Sequence, residues 1–314
     1  MEVMERRKLI IDTDCGSDDA VAIAMALNDE RYEILLFSVV AGNVPAKQAA
    51  ANLLTTMRMT DSSYPDVYLG KEEMLKRDWV GADDTHGKDG MGDLGLIDLS
   101  LKAKEGDAVE EILKAIEKEE DRTVEIITLG PLTNIAAAIE RSPETMKKVR
   151  RIVCMATPGT AEGNVTEYAE FNVWQDAEAF DQVLKEHPCE ILLVGWSSCL
   201  GEAMLEEGDI RRIRESGRLG KFLIDANRCL IDMNLDRFHR ECLDMADPAA
   251  IAAALYPECI RDCERVFCSV ETGNNEHYGE VYFDSSCDKP NVSLCTELDG
   301  KKFRDYLYKT LKIS

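Results

Sequence analysis

Ile10-Ile11-Asp12-Thr13-Asp14-Cys15-Gly16-Ser17-Asp18-Asp19-Ala20, read as IIDTDCGSDDA, sets four carboxylates within eight residues, directly behind a short apolar run. Lys8 to Asp12 has the composition of a short buried strand. Asp18 to Asn28 (DDAVAIAMALN) predicts an Ala-rich helix with two acids at its positive end. The stretch is therefore a strand, a tight loop and a helix. The rest of the chain repeats that order.

Glu33 to Gly42 predicts a second apolar strand, Pro45 opens an Ala-rich helix running to about Met59, and Val67 to Gly70 is a short third strand. Lys71 to Glu105 is glycine-rich and charged with no sustained period, as expected of a long functional loop. Asp107 to Glu119 predicts a helix, Val124 to Leu129 a strand, Leu132 to Glu140 a helix behind Gly130-Pro131, and Arg151 to Met155 a strand. A second irregular span, Thr157 to Gln175, leads to a helix over Asp176 to Lys185 and a strand over Glu190 to Gly195. The C-terminal third reads as mostly helical, with a late hairpin from Val266 to Val270 and Tyr278 to Phe283. Alternation of this kind implies an α/β fold, a single domain over residues 1–314 with a mainly parallel, Rossmann-like central sheet flanked by helices.

The 314 residues carry a formal charge of -23, from 60 acidic and 37 basic side chains. Such a field repels phosphate backbones and anionic lipid, so neither nucleic acid nor membrane is an expected partner. The apolar run Leu9 to Ile11 is too short for a signal-peptide core or a membrane span, and a cytoplasmic location is the expectation. The eleven cysteines include no Cys-x-x-Cys pair, and Cys259, Cys263 and Cys268 lack a fourth zinc ligand. They read as reduced, mostly buried thiols.

In open parallel sheets, ligands bind beyond the carboxyl ends of the strands, where Asp12 to Asp19 fall. One acid there could cap a helix while the others are solvated. Four acids desolvated together would take up protons unless a cation sits between them. The donors are hard oxygens without a matched Cys or His, which favours Ca²⁺ or Mg²⁺. A strand ending in Asp-x-Asp also opens the haloacid-dehalogenase phosphatases. There a Gly-Thr pair usually follows, whereas here Cys15-Gly16 follows and Asp18-Asp19 stand behind it.

The pattern Asp12-Thr13-Asp14-x-Gly16-x-Asp18-Asp19-Ala20 resembles the signature of the inosine-uridine nucleoside hydrolases, Ca²⁺-dependent enzymes that cleave the N-glycosidic bond of ribonucleosides. Val40-Ala41-Gly42-Asn43-Val44, Thr85-His86-Gly87 with Gly90-Met91-Gly92, Leu129-Gly130-Pro131-Leu132-Thr133-Asn134, Ala169-Glu170-Phe171-Asn172 and Asp247-Pro248 match in the same order. The resemblance implies that Asp14, Asp19, the Leu129 carbonyl and Asp247 hold Ca²⁺, and that Asp14 is general base toward a Ca²⁺-activated water. It further implies that Asp18 accepts a ribose hydroxyl, that Asn164, Glu170 and Asn172 grip the sugar, that Met155 lies against the ribose, and that Asn43 orients the water. Asn134 reads instead as a structural residue of the loop that presents Leu129.

One departure concerns the departing base. The family commonly has a His just before its last Ca²⁺-binding Asp, and here that residue is Ala246. His86, His239 or a tyrosine is left to activate the leaving group. His187 reads as a helix terminus and His277 as a loop residue. Trp79, Trp174 and Trp196 read as packing residues, although Trp79 could cover a base. The expected product pair is ribose and a free purine or pyrimidine base. The rival reading, motivated by Ala246, is a non-catalytic homologue that binds Ca²⁺ and ribonucleoside. The resemblance also implies a homodimer or homotetramer.

Overall fold

The computed structural model describes residues 6–60, 64–186 and 188–313. Asp61 and His187 lie outside them. The described strands are β1 (Arg7–Thr13), β2 (Tyr32–Val39), β3 (Asp66–Leu69), β4 (Val124–Thr128), β5 (Arg151–Met155), β6 (Glu190–Val194), β7 (Leu205–Glu206), β8 (Cys242–Leu243), β9 (Ile260–Val270), β10 (Val281–Asp284) and β11 (Val292–Leu298). Nine of them form one sheet in the order β10-β9-β11-β6-β5-β4-β1-β2-β3, and β7 pairs with β8 apart from it. All pairings from β3 across to β11 are parallel, and only the β11-β9 and β9-β10 pairings are antiparallel. This is the expected α/β, mainly parallel sheet.

Residue burial explains why the strands are continuous apolar runs. Leu9 and Ile11 of β1 pack into one hydrophobic cluster and Ile10 into another, and Ile127 and Ile126 of β4 divide in the same way. Alternate side chains thus enter cores on opposite faces, so neither face is left for water. The helices of the two layers read in the sequence fall where expected, at Ser17–Asn28, Ala46–Thr60, Ala108–Glu117, Thr133–Arg141 and Ala177–Glu186.

Three features differ from the sequence reading. The irregular spans contain short helices, Asp83–His86 and Phe171–Gln175. Strand β9 begins at Ile260, six residues before the expected hairpin strand, because its exposed Arg261 to Arg265 half carries polar side chains that hide it from a hydrophobicity reading. Strand β11 was not anticipated. It inserts between β9 and β6, in parallel register with β6 through Cys295 and Val194, a long-range pairing that no local pattern announces.

From β1 the chain winds outward through β2 and β3, then returns to β4 on the other side of β1 and continues to β5 and β6. The order reverses between β1 and β4, and a crevice opens at such a switch point beyond the carboxyl ends. Asp14, Asn43, Leu129, Met155 and Trp196 all follow or end strands at that edge.

Candidate active site

Two helices deliver the acids. Ser17–Asn28 carries Asp18 and Asp19 in its first turn, Ala246–Leu255 carries Asp247 in its own, and the two helices pack against each other. Both are rich in alanine, which lets the backbones approach, and both direct their positive ends at the carboxylates. One ligand oxygen each from Asp18, Asp19 and Asp247 lies within 4.8 Å of the others, and all three residues are buried. The sequence reading placed Asp14 rather than Asp18 in the cation-binding set. Asp14 stands outside this converging trio, yet its charge and that of Asp19 act on one another.

Asp14 is held tightly. Its Oδ2 accepts a hydrogen bond from the Asn43 backbone N–H at 2.7 Å, while Oδ1 is buried with no partner among the described residues. Gly42 and Gly130 press on either side, and a Cβ on Gly42 would come within 2.1 Å of Asp14 Oδ2. Asp19 accepts from Thr13 Oγ1, from the Gly16 N–H at 2.8 Å and from Asn43 Nδ2 at 3.3 Å. Burial, followed by the charge of its neighbours, pushes the Asp14 and Asp247 carboxyls well above the usual range and Asp19 to about 7. Carboxylates so placed require either protons or a cation.

The ribose-side residues of the sequence reading are gathered here, but several also have structural duties. Glu170 caps the helix Phe171–Gln175 by accepting from Asn172 N–H at 2.8 Å and Val173 N–H at 3.2 Å, and it also accepts from Thr157 N–H at 3.1 Å. Burial nevertheless lifts its carboxyl to about 7. Asn172 Nδ2 donates to the Leu129 carbonyl at 2.8 Å and the Met155 carbonyl at 3.1 Å, tying the ends of β4 and β5 together. Asn164 is exposed, and its Oδ1 accepts from Phe171 N–H at 2.9 Å. Asn134 has the structural role read from the sequence: its Nδ2 donates to Asp12 Oδ1 and its Oδ1 accepts from Lys71 N–H, each at 2.8 Å.

A cavity of about 390 Å³ opens over these groups. Its walls include Asp18, Asn43, Leu129, Met155, Asn164, Glu170, Asn172 and Asp247, together with His86. The Ser17 N–H lies 3.3 Å and the Ser17 hydroxyl 2.7 Å from His86 Nδ1, and burial lowers the ring's pKa. His239 is not brought to the cavity. It is exposed, in left-handed conformation with φ of 56°, and ends the helix Arg228–Phe238. His277 pairs with Glu280 on the surface, and the three cysteines Cys259, Cys263 and Cys268 are free thiols.

The sequence reading missed Trp196, Leu230, Met233, Arg237 and Asp244, which also line the cavity. Trp196, expected only to pack, is buried and also faces the cavity. Trp79 donates to the Gly42 carbonyl at 2.8 Å, and Trp174 lies beneath Arg77, so these two do pack loops. No local signal marks the missed residues, because they come from the helix Arg228–Phe238, the short 3-10 helix Trp196–Cys199 and the segment after β8, which meet only in the fold.

The profile of the inosine-uridine preferring nucleoside hydrolases matches residues 9–305. The chain belongs to this family. A pyrimidine-specific ribonucleoside hydrolase, RihA, of Salmonella gallinarum is 29% identical over 313 residues, covering 97% of this chain and 98% of that protein. The solved plant nucleoside hydrolase PpNRh1 superposes with a TM-score of 0.91 at 26% identity, over 99% of this chain and 100% of that one. A purine-preferring ribonucleoside hydrolase from Gardnerella vaginalis gives a TM-score of 0.88 at 26% identity, over 97% and 98%. The nucleoside hydrolase reading of the sequence therefore holds for fold and family, and the chain is a ribonucleoside-hydrolysing enzyme. Similarity to pyrimidine-specific and purine-preferring members alike leaves the base to be read from the cavity. Among the described residues, no helix is long and apolar enough to cross a membrane.

Proposed function

We propose that this nucleoside hydrolase cleaves the N-glycosidic bond of ribonucleosides with Asp14 as general base and a divalent cation, Ca²⁺, held among Asp14, Asp18, Asp19, Asp247 and the Leu129 carbonyl. The observation that carries this reading is the buried Asp14 Oδ1, without a hydrogen-bond partner among the described residues, near three further buried carboxylates. The donor set is all oxygen and adaptable in number, as Ca²⁺ prefers. Bound among these oxygens, the cation would supply positive charge that offsets the carboxylate repulsion and would raise the acidity of a neighbouring water.

The protein's own residues do the rest. Asn43 fixes one oxygen of Asp14 through its backbone, leaving the other to take a proton from the attacking water. Asp18, Asn164, Glu170 and Asn172 would accept from or donate to ribose hydroxyls, a reading supported by their place in the cavity lining. As the C1′–N bond lengthens the sugar gains positive charge, and a cavity edged by carboxylates stabilises it without reorganising. Incubation with inosine, uridine, adenosine and cytidine, with reducing sugar as readout, tests the proposal. Sugar release that stops on chelation and returns with Ca²⁺ is the expected result. Release undiminished in chelator, or none from any nucleoside, overturns it.

A further inference from the structure

The acid-lined cavity that favours a sugar cation works against the other product. A base leaving with the bonding electron pair is an anion at N1 of a pyrimidine or N9 of a purine, and Asp18, Asp84, Glu170, Asp244 and Asp247 all edge the same space. Ala246, beside the last of these, also lines the cavity and has no proton to give. Either a proton or a fixed positive charge must reach the base from elsewhere.

Arg237 is the one lysine or arginine among the cavity-lining residues. It sits in the last turn of the helix Arg228–Phe238, exposed at the mouth, with its guanidinium carbon 4.8 Å from the Trp196 ring centroid and 5.1 Å from that of Phe238. Among the described residues it forms no ion pair and no hydrogen bond, although the protein carries a charge of -23. Its charge is felt at the buried Asp244, which Asn234 Nδ2 holds at 2.7 Å. The guanidinium therefore rests on an aromatic face with its N–H donors uncommitted, in the lining of the same cavity as the residues read as ribose-binding.

We propose that Arg237 is the leaving-group residue of this enzyme, binding the departing base as an anion rather than protonating it. The inference rests on the hydrolase reading above. Water's oxygen forms the bond to C1′ and its proton passes to Asp14. The C1′–N electron pair leaves with the base, whose negative charge spreads onto ring nitrogens and carbonyl oxygens that the guanidinium N–H groups engage. Solvent protonates the base after release. Arginine suits this role because it stays charged throughout the working pH range and offers several donors in one plane.

The test compares Arg237→Met, which keeps an apolar stem, and Arg237→Lys with the wild type on uridine, inosine and 4-nitrophenyl β-ribofuranoside. The last releases a phenolate that needs no help. Arg237→Met is expected to lower kcat on the nucleosides by about 10²-fold, the scale of losing one preorganised donor, while the nitrophenyl riboside changes little. Arg237→Lys is expected to fall between, and added guanidinium to restore part of the Arg237→Met rate. An equal fall on all three substrates, or no fall on the nucleosides, overturns the role of Arg237 while leaving the hydrolase reading intact. A wild type inert toward both nucleosides overturns both.

Discussion

Asp14 shows how the fold can hold a single carboxylate in one orientation. Backbone N–H donation fixes one oxygen, two glycines crowd the carboxylate, and the remaining oxygen is buried with no partner among the described residues. Asp14→Asn is expected to keep the fold and lose turnover by about 10³-fold, within the range for a general base, with circular dichroism and sugar release as the paired measurements. A variant that retains most of its rate would show that another group takes the proton. Gly42→Ala is expected to act through the same oxygen. A methyl group 2.1 Å from Asp14 Oδ2 must displace the carboxylate, so kcat should fall while the urea midpoint of unfolding moves less than it does for a core cavity. If kcat is unchanged, the glycine pair does not hold the base.

At the scale of elements, two alanine-rich helices set the site. Every residue of Ala246–Leu255 from Asp247 onward is buried, and Ala249, Ala250, Ala252, Ala253 and Ala254 leave no accessible surface. The side chains are small because the helix is packed on Ser17–Asn28 and the sheet, and that closeness brings Asp247 to Asp18 and Asp19 across more than two hundred residues of chain. Ala253→Leu is expected to cost about 1–3 kcal/mol of stability by overpacking, measured by urea denaturation. Cation affinity should weaken with it, because the helices can separate only by moving Asp247 from its partners. Unchanged affinity for Ca²⁺ in calorimetry would mean that the trio does not depend on this contact.

For the whole molecule, burial of carboxylates links stability to pH and to the cation. Burial raises Asp12, Asp19 and Glu170 to about 7, above their ordinary values of 3.8 and 4.5. Between those limits the folded chain holds protons that the unfolded chain has released. Their contribution is therefore complete below about pH 4 and is lost as pH rises through about 7. In chelator, the unfolding midpoint is expected to decline from pH 5 to pH 8. Ca²⁺ replaces protons at Asp19 and its neighbours, so at pH 8 and a hundredfold excess over Kd it should restore about 2.7 kcal/mol, and less at pH 5. Equal stabilisation at both pH values would show that the cation and the protons do not compete for one site.

The sequence by itself determined the mainly parallel sheet and the order of the motif residues, while the strand order that makes the switch point came from the fold. Apolar runs such as Lys8 to Asp12, buried on both faces, and the strand-loop-helix order are local signals. Resemblance across five further segments assigned the acids in order, and the fold gathers Asp14, Asp18, Asp19, Asn43, Leu129, Glu170, Asn172 and Asp247 at one edge. Only the tertiary structure decided that Asp18 joins Asp19 and Asp247, that His239 stays outside the cavity, and that Trp196 and Arg237 enter it. The part of the cavity lined by Trp196, Leu230, Met233, Arg237 and Asp244 is assembled from segments far apart in the chain, each with ordinary composition. Its chemistry arises from proximity across the fold, which neither periodicity nor a motif can encode.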